Sequence, residues 1–155
     1  MPDPASPAGS STTASELRAC LAELARSHGV QDLYVFGSRA REIAARVRGT
    51  GAHAAALDAD VDIGVRPGQG ARFGLDERTR LMQALEDLFG VPRVDLVVLP
   101  EVGAFLALAA VSGELLYCED PTDQAEYELY VLRRAGDLLP FERERRDLIL
   151  RSGAR

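Results

Sequence analysis

The apolar residues near the start of the chain recur at the spacing of an amphipathic helix. Thr13 and Glu16 have the arrangement of a capping box, in which a threonine at the helix start and a glutamate three residues later satisfy each other's backbone N–H groups. The apolar positions stop at Gly29, a common helix terminator. We therefore predict a first helix between Thr13 and Gly29, whose apolar stripe is Leu17, Leu21 and Leu24.

In the middle of the chain, short β-rich runs alternate with helical ones. The run DLYVFGS stops at Gly37, which predicts a strand, a glycine turn and a helix in that order. A second run alternates apolar and polar residues and ends at Pro67 and Gly68. The predicted strands are Asp32–Phe36, Asp60–Val65 and Arg93–Leu99, and the predicted helices are Ser38–Val47 and Arg78–Phe89.

The C-terminal third of the chain is predicted to be mainly helical. Val102–Val111 is apolar enough for a buried helix, and Glu114–Cys118 is a short candidate strand. Asp123–Leu139 is amphipathic, and Pro140 should interrupt it before a last helix over Phe141–Leu150. The sum is an α/β (α+β) domain with a small mixed sheet flanked by helices. We expect a disordered tail over 1–13, a core over 14–118 and a helical extension over 119–155. Arg48–Ala59 is predicted to be a loop or an irregular helical extension.

Charge and composition limit the classes of function. The chain has 155 residues and a net charge of -6, so it has no broad positive field for nonspecific nucleic-acid binding. Cys20 and Cys118 are too few for a disulfide framework and are expected to be buried thiols. The chain shows neither a secretory signal nor an apolar run long enough to cross a membrane, so we expect a cytoplasmic protein.

The candidate chemistry is a cluster of carboxylates beside a glycine turn. Strand alternation turns Asp60 and Asp62 to the same side, where a shared cation would relieve their repulsion. Asp95 is the one acidic residue in an otherwise apolar strand, which favours its assignment as a third ligand. The turn at Gly37 and Ser38 offers free backbone N–H groups, a hydroxyl and a helix N-terminus to a phosphate. These features together predict a site for a nucleotide and a metal.

Each feature also has a plainer interpretation. Paired aspartates at this spacing are common on surfaces, and glycosyltransferases and phosphatases use similar pairs. Asp58 offers a second pairing with Asp60, but the apolar alternation favours Asp60 and Asp62 as the strand carboxylates. Arg39 and Arg41 are candidates to neutralise phosphates, although exposed arginines are usually solvated. Ser38 could be a catalytic nucleophile, but no Gly-x-Ser-x-Gly elbow surrounds it and no suitable histidine is apparent. Phosphate binding is therefore the favoured role.

Three segments in this order resemble the minimal nucleotidyltransferase (MNT) branch of the polymerase β superfamily. They are VFGSRAR, DADVDIGV and VDLVVL, and the segment GELLYCED with the helix that follows is similar to the family's C-terminal region. The resemblance implies that Gly37 and Ser38 grip the triphosphate, that Asp60 and Asp62 bind magnesium, and that Asp95 completes the metal cluster. From its charge and its position after this turn, Arg39 is predicted as a further nucleotide-binding residue.

The sequence departs from the family pattern beside this site. Glu42 stands where a glycine is usual, and Ala59 stands where a serine is usual. The gap between Ser38 and Asp60 is longer than in most members of the family, which indicates an insertion.

The resemblance implies an antitoxin of a type VII toxin–antitoxin system, with a nucleotidyltransferase core over 14–118. Its activity would be the transfer of AMP from ATP, with two Mg2+ ions, to a tyrosine of a HEPN RNase toxin. An alternative is a catalytically weakened nucleotide-binding antitoxin that neutralises its partner by complex formation alone. A third possibility, nucleotidylation of a small molecule such as an aminoglycoside, needs a larger acceptor domain and ranks last.

Overall fold

The computed structural model describes residues 12–50 and 59–153. The predicted tail therefore lies almost wholly outside the described residues, as do Asp58 and most of the predicted loop over Arg48–Ala59. The elements are helix α1 (Ala14–Ser27), strand β1 (Val30–Phe36), helix α2 (Ala40–Arg48), strand β2 (Val61–Pro67), helix α3 (Leu75–Phe89), strand β3 (Val94–Val98), a short 3-10 turn (Leu99–Glu101), helix α4 (Ala104–Val111), strand β4 (Glu114–Cys118) and helix α5 (Pro121–Ser152).

The sheet has four strands in the order β3-β2-β1-β4. Strand β1 is antiparallel to both β2 and β4, whereas β2 and β3 are parallel and joined through α3. This mixed sheet flanked by helices confirms the predicted α/β fold class. The capping box that begins α1 is also confirmed, with Glu16 N donating to Thr13 Oγ1 at 3.3 Å and Thr13 N donating to Glu16 Oε2 at 2.8 Å.

Alternation along β1 divides the interior between the two faces of the sheet. Leu33 and Val35 belong to the larger apolar cluster, which includes the buried residues of α1, α2 and α3. Tyr34 belongs to a smaller cluster with Leu99 and with Ala110 of α4. Gly64 of β2 allows α4 to pack closely here, because a Cβ at that position would lie 3.0 Å from the Ala110 Cβ. Helices α1–α3 thus cover one face, and α4 with α5 covers the other.

The predicted interruption at Pro140 is wrong, because α5 runs unbroken from Pro121 to Ser152. A proline inside a helix removes one backbone hydrogen bond to the residue four positions earlier. That residue is Gly136, and both Gly136 and Pro140 are exposed. Water can therefore satisfy the freed carbonyl, and the helix continues.

Two predictions about burial also need correction. Cys20 is exposed on α1 and Cys118 is partly exposed, so neither is the buried thiol that composition suggested. In α4 only the alanines at a spacing of three, Ala104, Ala107 and Ala110, are buried. Phe105 is 38% exposed and lies on the outer side of this helix. Small residues face the sheet here because the two backbones approach closely, which leaves the larger side chains outside.

Across the described ranges, no helix combines the length and the apolar character needed to span a membrane. The division of the chain at residue 118 into a core and an extension stays a prediction.

Candidate functional site

The candidate carboxylates lie at one end of the sheet, where β2 passes between β1 and β3. The parallel register pairs Asp62 of β2 with Asp95 of β3, and the antiparallel register pairs Asp62 with Phe36, the last residue of β1. Asp60 lies directly before β2. The structure therefore brings Asp62 next to Asp95, with Asp60 close to both.

The environment of Asp62 is unfavourable for a negative charge. Burial raises the pKa of its carboxyl, and the nearby carboxylates of Asp95 and Asp60 raise it further. Within residues 12–50 and 59–153, no side chain donates a hydrogen bond to Asp62 or forms an ion pair with it. The carboxylate of Asp62 therefore has two acidic neighbours, and no arginine of the described residues is bound to it.

Arg93 is a residue of this site that the sequence interpretation missed. Its Nη2 lies 3.0 Å from Asp95 Oδ1, and its Nε lies 3.7 Å from Asp60 Oδ2. The side chain of Arg93 is 63% exposed, so solvent screens these ion pairs. A signal was present in the sequence, because Arg93 and Asp95 are two residues apart and share one side of the chain.

The glycine turn packs directly against Asp62. Gly37 has a φ of 75°, a conformation that side chains other than glycine rarely adopt, and a Cβ at this position would collide with Asp62 Oδ2. Helix α2 begins three residues later at Ala40, so its N-terminal N–H groups point toward the same end of the sheet. Only glycine therefore permits the turn to approach the carboxylate this closely.

Arg39 and Glu42 form a nearly buried ion pair at the start of α2. Nε and Nη2 of Arg39 donate to the two carboxylate oxygens of Glu42 at 3.0 and 2.8 Å. The third nitrogen, Nη1, donates to the carbonyl oxygen of Ala59 at 2.9 Å. Arg39, which the sequence indicated as a phosphate ligand, thus has each of its nitrogens directed to a partner within the protein.

A cavity of about 510 Å³ lies on the β4 side of the glycine turn. It is lined by the turn and the start of α2 on one side and by the end of α4 and the start of β4 on the other. Gly113 is needed there, since a Cβ would collide with the carbonyl oxygen of Val35. The sequence interpretation did not identify the β4 side of this cavity, because Ser112, Gly113 and Glu114 match no catalytic motif.

The three aspartates are close together but do not form a finished metal site. No group of three or more His, Cys, Asp or Glu side chains in the described parts of the chain is arranged to hold an ion. The donor set nevertheless suits Mg2+, which prefers carboxylate oxygens. Among the described residues no side chain is hydrogen-bonded to Asp62, and its pKa is raised by burial and by its acidic neighbours. These residues therefore fit a divalent cation chemically.

Comparisons with known proteins identify the fold. No protein-family profile and no curated protein matches the chain. Among solved structures, a mutant of the MntA–HpeT toxin–antitoxin is 18% identical, with a TM-score of 0.65 over 86% of this chain and 98% of the other. A toxin–antitoxin with AMP-PNP is 20% identical, with a TM-score of 0.63 over 86% and 98%.

A further solved structure contains a tri-AMPylated Shewanella oneidensis HEPN toxin in complex with an MNT antitoxin. It is 21% identical to this chain, with a TM-score of 0.58 over 91% of this chain and 99% of the other. These structures agree with the MNT resemblance that the sequence motifs carry. The chain therefore has the nucleotidyltransferase fold of the MNT antitoxins from MNT–HEPN toxin–antitoxin pairs.

Proposed function

We propose that this chain is a metal-dependent nucleotidyltransferase that acts as an MNT antitoxin in the cytoplasm. Its reaction would transfer AMP from ATP to a tyrosine hydroxyl of a HEPN toxin. The proposal is supported by the fold, by the AMP-PNP and the AMPylated toxin in structures of similar fold, and by the carboxylates at the end of the sheet.

One observation carries the proposal: Asp62 lies between Asp95 and the glycine turn, and no arginine of the described residues is bound to it. A carboxylate in that position is unfavourable for the folded chain alone. It becomes favourable when a divalent ion binds, because the ion removes the repulsion among the carboxylates. The same ion would bring positive charge to the turn, where the phosphates would lie.

The residues of the chain divide the work as follows. Asp60, Asp62 and Asp95 would hold two Mg2+ ions, which supply positive charge for the triphosphate and acidify the acceptor hydroxyl. The N–H groups after Gly37 and the hydroxyl of Ser38 would bind phosphate oxygens. The acceptor oxygen forms a bond to the α-phosphorus, the bond from that phosphorus to the bridging oxygen breaks, and pyrophosphate leaves. Asp95 would accept the proton of the hydroxyl.

The cavity beside the turn offers room for the rest of the nucleotide. Its volume of about 510 Å³ falls within the usual range of small-molecule sites. Because Gly37 lines the cavity and also contacts Asp62, a triphosphate at the turn would reach both. We therefore propose that the nucleoside lies on the β4 side of Gly37.

The test is a transfer assay with labelled ATP, Mg2+ and the HEPN toxin. We expect label on the toxin with the natural chain. With Asp62→Asn the rate of transfer should fall about 100-fold or more, because the variant lacks a negative charge that would bind Mg2+. Asp87→Asn is the matched control, because Asp87 is exposed on α3, which covers the face of the sheet opposite to the side chain of Asp62. No label on the toxin at any metal concentration would reject this acceptor.

A second candidate function is neutralisation by complex formation alone. It is favoured by Arg93, which already pairs with Asp95 and Asp60 in the place where metal would bind. The double variant Asp60→Asn/Asp62→Asn separates the two functions. Unchanged toxin neutralisation, with an intact complex by size-exclusion chromatography, would establish binding alone, whereas lost neutralisation with an intact complex would establish chemistry.

A further inference from the structure

The N-terminus of α2 is connected to the start of β2 by a single buried guanidinium group. The side chain of Arg39 is 5% exposed and that of Glu42 is 14% exposed. Arg39 follows the Gly37–Ser38 turn in the chain, and Ala59 directly precedes Asp60. The hydrogen bond from Arg39 to the Ala59 carbonyl therefore joins the turn to the segment that carries Asp60 and Asp62.

We propose that Arg39 and Glu42 are positioning residues, which hold the glycine turn and the aspartate segment at a fixed separation. Glu42 binds the guanidinium through two parallel hydrogen bonds, which fix its plane as well as its position. With that plane fixed, Nη1 points to the Ala59 carbonyl. Glu42 thus acts on the site through Arg39, and its own carboxylate need not contact the nucleotide.

The clamp formed by Arg39, Glu42 and the Ala59 carbonyl holds the start of β2 from one side. From the other side, the Val61 N–H donates to the Arg93 carbonyl at 3.1 Å, which ties the same segment to the start of β3. Among the described residues, the other backbone pairing of the segment 59–61 is with β3 and with Arg93 directly before it. The contact between Gly37 and Asp62 tolerates little movement, because there is no space there even for a methyl group.

Charge alone does not account for this arrangement. A buried arginine needs a partner, and Glu42 supplies it, which keeps the pKa of Arg39 raised. However, Glu42 alone would neutralise Arg39. The additional hydrogen bond from Arg39 Nη1 to the Ala59 carbonyl, 20 positions away in the chain, is not needed for that. Lysine at position 39 would keep the charge but lose the planar fork, so it could not bind Glu42 and Ala59 in the same way.

The proposal rests on the proposed function, since what the clamp positions is the nucleotide and metal site. Its test uses Arg39→Leu/Glu42→Leu, because replacing both members of a buried ion pair by apolar residues often preserves stability. Two properties are measured on the full chain: amide hydrogen exchange at Val61, and the Kd for Mn2+ with ATP by calorimetry. Arg26→Gln is the matched control, because it removes another Arg–Glu pair at three-residue spacing, the exposed pair of Arg26 with Glu23 in α1.

We expect the double variant to keep the urea unfolding midpoint of the natural chain and to exchange the Val61 amide faster. It should bind Mn2+ with ATP about tenfold more weakly, which is the scale of effects from residues that orient metal ligands. Arg39→Lys should do the same, and it replaces the double variant if that does not fold. Natural exchange and natural affinity in a folded variant would overturn the proposal. If the natural chain itself fails to bind Mn2+ with ATP, the proposed function is rejected, and the exchange at Val61 alone decides the clamp.

Discussion

Asp32 and Asp62 are two carboxylates of the same sheet that differ in whether an arginine of the fold is bound to them. Asp32, in β1, is 0% exposed and accepts a hydrogen bond from Nε of Arg66. Burial raises the pKa of Asp32, Arg66 opposes that shift, and the carboxylates of Asp123 and Glu128 add to it. At Asp62, in contrast, burial and both neighbouring aspartates all raise the pKa. Both carboxylates have acidic neighbours, but Asp32 is bound by Arg66, whereas no arginine of the described residues is bound to Asp62.

The partners of Asp32 extend into helix α5. Nη2 of Arg66 donates to Asp123 at 2.7 Å, and the guanidinium carbon of Arg66 lies 4.7 Å from the centre of the Tyr127 ring. Asp123 and Tyr127 both belong to the first two turns of α5. The network around Asp32 therefore fastens α5 to the sheet.

The difference separates a structural carboxylate from a functional one. A charge that serves the fold is neutralised by the fold, because burying it otherwise destabilises the native state. A charge that serves a ligand is left partly uncompensated, and the ligand supplies the missing charge. By this criterion Asp32 is structural, and Asp62 is the residue that requires an external cation.

The largest effect is expected from removing the cation of Asp32. Arg66→Met leaves Asp32 buried without its partner, and breaking a buried ion pair in this way costs about 3–5 kcal/mol. Urea unfolding should show a lower free energy of unfolding of that size. Arg72→Met is the control, since Arg72 is exposed in the loop before α3. A loss of less than about 1 kcal/mol, the value of an exposed pair, would mean that the network around Asp32 is not what holds α5.

The next effect concerns ligand binding at Asp62. A ligand that binds only the folded state at about 100 times its Kd stabilises it by about 2.7 kcal/mol. We expect Mg2+ or Mn2+ with ATP to raise the melting temperature of the natural chain accordingly, and Asp62→Asn to abolish most of the increase. The Asp87→Asn variant should respond as the natural chain does. A full ligand-induced increase in Asp62→Asn would remove Asp62 from the proposed site.

The placement of the three aspartates of the site could be predicted from the sequence, because the strands have local patterns. Alternation in β2 placed Asp60 and Asp62 on one side, and the apolar surroundings of Asp95 marked it as unusual. The register between β2 and β3, which brings Asp62 beside Asp95, agrees with that expectation. Alternation cannot predict which residue forms an ion pair with a given carboxylate, because the two residues are often distant in the chain.

The ion pairs that the sequence interpretation missed are mostly of this distant kind. Arg66 lies 34 residues from Asp32 and 57 from Asp123, and no local pattern relates them. The Arg39–Glu42 pair has helical spacing but was not predicted, and no local pattern relates it to its third partner, Ala59. The continuity of α5 through Pro140 was missed for a different reason, because a general rule about proline was applied where solvent exposure relaxes it.

The smallest and most specific effect is on the free energy of unfolding of the metal-free chain. Asp62→Asn deletes one of three crowded negative charges and preserves the size of the side chain, so at pH 7 it should stabilise the metal-free fold by about 0.5 kcal/mol, the scale of a side-by-side like-charge pair.

The effect should depend on pH with a definite sign. The pKa of Asp62 is raised in the folded state, so its protonated form contributes to the free energy of unfolding. This contribution is complete below the ordinary pKa of 3.8 and is lost as pH rises through the raised pKa. The natural chain and Asp62→Asn should therefore have nearly equal stability at about pH 3.5 and diverge toward pH 7, with the variant the more stable. Urea unfolding at both pH values measures this, with Asp87→Asn as the control for deleting an aspartate from an exposed helix position. A variant that is less stable than the natural chain at pH 7 would show that Asp62, like Asp32, serves the fold, and the contrast between the two carboxylates would disappear.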